Sequence, residues 1–113
     1  MRLQVKGKNV EVTPSIRDYA ERKLAKLSKV LAPETQVEVE LSEQRNPSIA
    51  DSAVAEATIF TKGPTLRARE ASPDMKASID QLVDKLERQV KRYREIRRLE
   101  PRRHAPQIDD VKS

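Results

Sequence analysis

The chain contains no cysteine and few of the residues from which active sites are commonly built. Because there is no Cys among its 113 residues, disulfide bonds, thiolate metal sites and a cysteine nucleophile are excluded. Its two glycines, Gly7 and Gly63, are too few for a P-loop or a dinucleotide-binding loop. The one histidine, His104, lies in a proline-rich segment that would not fix its position. We therefore interpret it as a solvated side chain without a catalytic role. The sequence predicts a protein that is not an enzyme and that uses no metal or cofactor.

Long apolar runs are absent as well. No stretch approaches the ~18 consecutive apolar residues of a membrane-spanning helix, and residues 1–6 alternate instead of forming an apolar signal core. Hydrophobic and charged residues each make up 36% of the chain, which predicts a lean core built from elements that bury one face each. The length favours one domain, and the default location is the cytoplasm.

Hydrophobic periodicity predicts the element order β-α-β-β-β-α. Alternation of apolar and polar residues predicts four strands, near residues 2–6, 36–41, 53–60 and 66–69. Apolar spacings of three and four predict a helix from Pro14 to about Val30 and a longer one that reaches about Arg98. Thr13 and Ser72 each precede a proline, so both are predicted to be helix N-caps.

Each predicted strand has apolar residues of a single parity. Both helices should therefore cover one face of a four-stranded sheet and leave the other face exposed to solvent. This arrangement is an α+β fold with two layers. The alanines of the third strand would let a helix approach the sheet closely. We assign residues 1–100 to this domain and interpret residues 101–113, which lack periodicity, as a disordered tail or the start of a linker.

Positive charge is concentrated in the second half of the chain. The formal net charge is +5, and the segment from Arg88 to Arg103 alone carries eight Lys and Arg against two Glu. This balance suggests a polyanionic partner, either nucleic acid or an anionic membrane.

Both predicted helices also carry most of their basic residues on one side. A helical projection places basic residues on the same flank of each apolar stripe: Arg22, Lys26 and Lys29, with Lys23 at the stripe edge, and then Lys85, Arg88 and Arg92. The carboxylates Asp80, Asp84 and Glu87 are predicted to be solvated on another side of the second helix. If the helices lie roughly parallel, their basic flanks form a continuous patch. Basic side chains that merely flank an apolar stripe give the same pattern, but its recurrence on two helices favours a polyanion-binding face.

The scarcity of aromatic residues narrows the choice of polyanion. Aromatics make up 3% of the chain, with Tyr19 and Tyr93 on the apolar stripes and Phe60 as the one candidate for exposure. Stacking of single-stranded bases is therefore improbable. Lys and Arg would instead contact phosphates and sugars of a folded, largely helical RNA, with strong salt dependence and little sequence preference.

Three segments carry a resemblance to a known family: residues 9–13, the helix Arg17 to Leu27, and above all Asp74 to Gln89. From Met1 to about Arg98 the chain resembles the ribosome hibernation promoting factor family, also described as ribosome-associated translation inhibitors. The resemblance implies a fold like that of a double-stranded RNA-binding domain with an added first strand. It also implies binding to the small ribosomal subunit, in the mRNA and tRNA channel at the decoding sites, and inhibition of translation by occupancy under stress or in stationary phase.

The resemblance also implies which residues contact ribosomal RNA. The matching basic positions are Lys23, Lys26, Lys85, Arg88, Lys91 and Arg92. Arg17 is added on the similarity alone, whereas Arg22 and Lys29 come from the helical projection alone. Lys76 departs from the family pattern, in which an aromatic residue often follows the methionine. No membrane or small-molecule partner is expected.

Long members of the family carry a further domain through which two proteins pair and bring two ribosomes together. We expect this chain to be either a short form that relies on a second protein or the amino-terminal part of a long form, and the proline-rich residues 101–113 favour the latter. Two other readings remain open. One is a general module for structured RNA without preference for ribosomes, and the other is a basic domain that binds an acidic protein.

Overall fold

Four strands and two long helices follow the predicted order. The computed structural model describes residues 1–46 and 48–99, so the predicted tail at residues 101–113 lies outside the described residues. The elements are β1 Arg2–Gly7, α1 Pro14–Leu24, β2 Gln36–Glu43, β3 Ala53–Phe60, β4 Thr65–Ser72 and α2 Met75–Leu99. The sheet order is β1-β2-β3-β4, with β1 parallel to β2 and the other neighbours antiparallel. The predicted α+β fold is confirmed.

The core lies between one face of the sheet and the two helices. Val5, Val39, Ala57 and Ala68 form one buried row across all four strands, because the register aligns them. The helices bury an apolar stripe against this face. Leu24 at the end of α1 and Leu27 shortly after it contribute to the stripe, and α2 contributes Ile79, Leu82, Leu86 and Val90. Short alanine side chains on β3 let α2 pack closely on β3 and β4, as predicted.

The other sheet face is open and largely polar. Glu38, Glu40 and Glu56 on the two central strands are half-buried or exposed on this face. Val54 is the exception, since it is only 2% exposed between its cross-strand neighbours Ser42 and Ala71. Within the described residues, no helix combines the length and apolar character needed to cross a membrane.

The first helix is shorter than predicted. It ends at Leu24, and a 3-10 helix, Ala25–Lys29, replaces the α-helical turns that were expected up to Val30. The hydroxyl of Ser28 donates to the Ala25 carbonyl (2.6 Å), a local bond that competes with regular α-helical bonding. Residues three apart eclipse one another in a 3-10 helix, so Lys26 and Lys29 point in nearly the same direction.

The start of α2 also differs from the prediction. The N-cap is Asp74, whose Oδ2 accepts from the backbone N–H of Ala77 (3.1 Å), and not Ser72. The Ser72 hydroxyl lies instead in a buried chain, because it accepts from the Asp74 N–H (3.2 Å) and lies 2.7 Å from the Ser78 hydroxyl. Ser78 in turn donates to the Ala53 carbonyl (2.6 Å). This chain ties the end of β4 and the beginning of α2 to the beginning of β3.

Candidate nucleic-acid interface

The two helices lie side by side on the sheet and run in the same direction. Two interhelical ion pairs establish this order, since Lys23 Nζ lies 3.3 Å from Asp80 Oδ1 and Lys26 Nζ lies 3.7 Å from Glu87 Oε1. Residue numbers thus rise together on both helices. The parallel arrangement assumed in the helical projection is present.

The acidic flank of α2 is partly exposed to solvent, as predicted, but two of its carboxylates also form ion pairs across the groove. Asp80 pairs with Lys23 of α1, and Glu87 pairs with Lys26 of the 3-10 helix that follows α1. These carboxylates interrupt the basic surface that was expected to be continuous. Asp84 is exposed, as predicted. The four paired side chains are 41–45% exposed, and ion pairs this open contribute only about 0–1 kcal/mol to stability. The two lysines can therefore exchange a carboxylate for a phosphate at small cost.

Tyr19 lies in the groove between the two helices, next to the ion pair of Lys23 with Asp80. Its hydroxyl donates to Asp80 Oδ1 (2.7 Å), and three cationic groups surround its ring. Their distances to the ring centroid are 5.8 Å for Arg22 Cζ, 5.7 Å for Lys23 Nζ and 5.3 Å for Lys76 Nζ, within the range of cation–π attraction.

The same surroundings perturb the Tyr19 hydroxyl. Its pKa is raised above the ordinary value, first by the hydrogen bond to Asp80 and then by burial and the Asp80 charge, while Lys23 and Arg22 oppose the shift. Tyr19 therefore keeps its proton at neutral pH and remains a hydrogen-bond donor that fixes the Asp80 carboxylate.

Basic residues of α2 and of the 3-10 helix that follows α1 meet in the groove beside the Lys26–Glu87 ion pair. Lys26 from the first helical region and Arg88, Lys91 and Arg94 from α2 line one shallow cavity of about 470 Å³. Val30, Asp84 and Glu87 complete its lining. Four cations against two carboxylates leave this cavity net positive. Of the residues that sequence reasoning proposed, it brings together Lys26, Arg88 and Lys91.

Arg94 was missed as a site residue by the sequence reasoning. It was counted within the basic run from Arg88 onward but not placed on a helix face. The available signal was its spacing, because Arg94 follows Glu87 by seven residues and Lys91 by three, which puts all three on one flank of a helix.

Two proposed residues lie on the far flank of α2, away from the groove. Lys85 Nζ is 3.2 Å from Glu70 Oε2 on the edge strand β4. Arg92 follows Lys85 by two turns on the same flank and is exposed. The structure thus separates Lys85 and Arg92 from the groove residues, although Arg88 on the outer surface of α2 lies between the two sets.

The remaining proposed residues lie on or after α1. Arg22 and Lys29 are exposed. Arg17 donates from Nη1 to the Val5 carbonyl (3.1 Å), so its side chain anchors α1 to β1. Of the nine proposed residues, Arg17 is the one whose charged group bonds to the backbone of the sheet.

Comparison with known proteins agrees with this architecture. A family model described as sigma 54 modulation protein / S30EA ribosomal protein matches residues 3–98. The chain belongs to this family. The resemblance inferred from the sequence is thereby confirmed.

Relatives within the S30EA family carry names that point to the ribosome. A protein from Picosynechococcus sp. named ribosome hibernation promotion factor is 43% identical over 96 residues, which cover 84% of this chain and 50% of the relative. The chain thus spans about half the length of that relative. A ribosome hibernation promoting factor from Klebsiella oxytoca is 35% identical, with 84% of this chain and 95% of the relative covered. The Thermus thermophilus Protein Y N-terminal domain superposes with a TM-score of 0.70 at 38% identity, covering 82% of this chain and 99% of that domain.

Proposed function

We propose that the chain is a ribosome hibernation factor that binds the small ribosomal subunit and inhibits translation by occupying the mRNA and tRNA channel at the decoding sites. The observation that carries the proposal is the meeting of basic side chains from two helices in one groove, in a chain of the S30EA family. The names of its relatives support the same activity. We infer a binding protein of the cytoplasm that performs no catalysis.

The proposed contact is with ribosomal RNA, through phosphates. The residues assigned to it are basic and lie on or next to the two helices: Arg17, Arg22, Lys23, Lys26, Lys29, Lys85, Arg88, Lys91 and Arg92. Arg88 and Lys91 pair with no carboxylate of residues 1–46 and 48–96, so they are available to phosphate at once. Lys23 and Lys26 exchange their half-exposed carboxylates for it. Arg17 is the weakest of the nine, because its Nη1 atom is already engaged by the Val5 carbonyl.

The charge of the two faces supports an orientation with the helices toward RNA. The open sheet face mixes charges of both signs, with Glu38, Glu40 and Glu56 on its central strands and basic residues on its outer strands: Arg2, Lys6, Arg67 and Arg69. Arg69 is paired with Glu56 there (3.8 Å), so this face does not gather cations around one groove as the helix side does. The exposed ring of Phe60, 42% accessible, lies on that same open face. On the helix side, Tyr19 is surrounded by cations, so base stacking contributes little and RNA would be recognised by shape and charge.

Co-sedimentation across a salt series tests the proposal. The chain is mixed with purified small subunits, with intact ribosomes and with a plain A-form RNA duplex, and the bound fraction is measured at each salt concentration. We expect retention on small subunits at salt that strips the duplex, and loss of binding when mRNA and tRNA already fill the channel. Comparable binding to all RNAs would indicate a general RNA-binding module, and indifference to RNA at low salt would point to an acidic protein partner. Either result would overturn the proposed function.

A further inference from the structure

The cluster around Tyr19 holds more positive charge than the carboxylates beside it can balance. Arg22, Lys23 and Lys76 all have their cationic groups within 5.3–5.8 Å of the ring centroid. Lys23 pairs with Asp80, but among the ion pairs of residues 1–46 and 48–96 none involves Arg22 or Lys76. Two of the three cations thus have no carboxylate partner within that part of the chain.

The ring explains how like charges are held so close together. The negative face of an aromatic ring attracts cations, which offsets part of their mutual repulsion. The ring itself is fixed, because the Tyr19 hydroxyl donates to Asp80 Oδ1 (2.7 Å) on α2. Asp74, the carboxylate nearest to Lys76 in the sequence, is engaged as the N-cap of α2. Arg22 and Lys76 are both exposed, so an anion from outside the chain can reach them.

We propose that Lys76 and Arg22, organised by the Tyr19 ring, bind a phosphate of the RNA and extend the interface to the first turn of α2. This inference rests on the proposed function, and it adds a phosphate contact for Lys76 and a positioning role for Tyr19. Lys76 precedes Lys85 by nine residues, or about 14 Å along the helix, and Arg88 by twelve, or about 18 Å. The phosphate at Lys76 is therefore a different one from the phosphates bound at the groove cavity.

Neutralisation of Lys76 tests the contact. The full chain with Lys76→Gln is compared with the unsubstituted chain in small-subunit binding across a salt series. One lost phosphate contact should reduce the magnitude of the slope of log K against log salt by about 0.7 to 0.9 and weaken binding about five- to eightfold near 0.1 M salt. Lys6→Gln is the matched control, since it removes the same charge from an exposed residue of β1 on the open sheet face. The control should leave the slope unchanged.

The role of the ring is tested by a double-mutant cycle. Tyr19→Leu removes the ring, and the addition of Lys76→Gln to it should then weaken binding by less than the same change does in the unsubstituted chain. Tyr19→Phe keeps the ring and should preserve the effect of Lys76. Circular dichroism melts establish that each variant folds. If Tyr19→Leu does not fold, the comparison of Lys76→Gln with Lys6→Gln still decides the phosphate contact.

The outcomes separate this inference from the proposed function. If Lys76→Gln and Lys6→Gln bind alike while the unsubstituted chain prefers small subunits, the contact at Lys76 is overturned and the proposed function stands. If the effects of Tyr19→Leu and Lys76→Gln simply add, the positioning role of the ring is overturned. If the unsubstituted chain binds small subunits no better than a plain duplex, the proposed function fails, and the contact with ribosomal RNA fails with it.

Discussion

Neutralising two cations of the groove cavity should remove most of the affinity for the small subunit. Arg88 and Lys91 are both exposed and both line the cavity, so the variant Arg88→Gln with Lys91→Gln should fold normally. If each side chain contacts one phosphate, the slope of log K against log salt falls in magnitude by about 1.4 to 1.8. Near 0.1 M salt this corresponds to binding about 25- to 60-fold weaker.

The assay is small-subunit binding across a salt series, with a control that carries the same loss of charge. Arg2→Gln with Lys6→Gln removes two positive charges from β1, whose side chains at these positions are exposed on the open sheet face. We expect the control variant to keep the slope of the unsubstituted chain. An equal loss for both variants would mean that net charge alone drives binding, and the reasoning from the groove would be refuted. An unchanged slope for the groove variant would refute it as well.

Three further changes test single contacts. Glu87→Gln frees Lys26 from a carboxylate at 3.7 Å, whose attraction is worth about 1 kcal/mol in water. The change should therefore tighten small-subunit binding by up to about fivefold and have little effect on the free energy of unfolding. Weaker binding would mean that Glu87 positions the lysine. Ser78→Ala breaks a fully buried hydrogen-bond chain and should lower the free energy of unfolding, measured in urea, by about 1–3 kcal/mol. Gly7→Ala would place a Cβ 2.1 Å from the Val10 carbonyl oxygen and should cost about 1–3 kcal/mol in the same measurement, because backbone has to move; an unchanged midpoint would contradict the close approach.

Most of the fold was predictable from the sequence because apolar parity and helical spacing report burial directly. The limits of the helices were less predictable, for local reasons. Ser72 and Asp74 are both good capping residues, and only the path of the chain out of β4 decides that Asp74 caps α2. Likewise, apolar spacings of three and four occur in both an α-helix and a short 3-10 helix. The change from α-helix to 3-10 helix at Ala25 is therefore not visible in the spacing of the apolar residues.

The sequence predicted that basic side chains flank the apolar stripes of the helices, but not how those side chains are arranged around a groove. A projection gives the angle of each side chain around its own helix, and it identified Lys26 and Arg88 correctly as lying beside the apolar stripe. It cannot tell which neighbour a flank faces, because that depends on how the two helices sit on the sheet. For this reason the pairing of Asp80 and Glu87 with α1 had to come from the structure. The position of Lys85 against β4 had to come from it as well.

The length of α2 has a consequence for where the fold is weakest. Tyr93 lines a cavity with Phe60 and Lys62 beside the turn between β3 and β4, and the helix continues beyond it to Leu99, another six residues or about 9 Å. A single helical end of this length gains little from its own hydrogen bonds and depends on what it touches. Amide hydrogens of this final stretch should therefore exchange with solvent faster than those near Leu86. A bound polyanion that contacts Arg94 would slow that exchange, so ordering of the helix end and affinity would be thermodynamically linked.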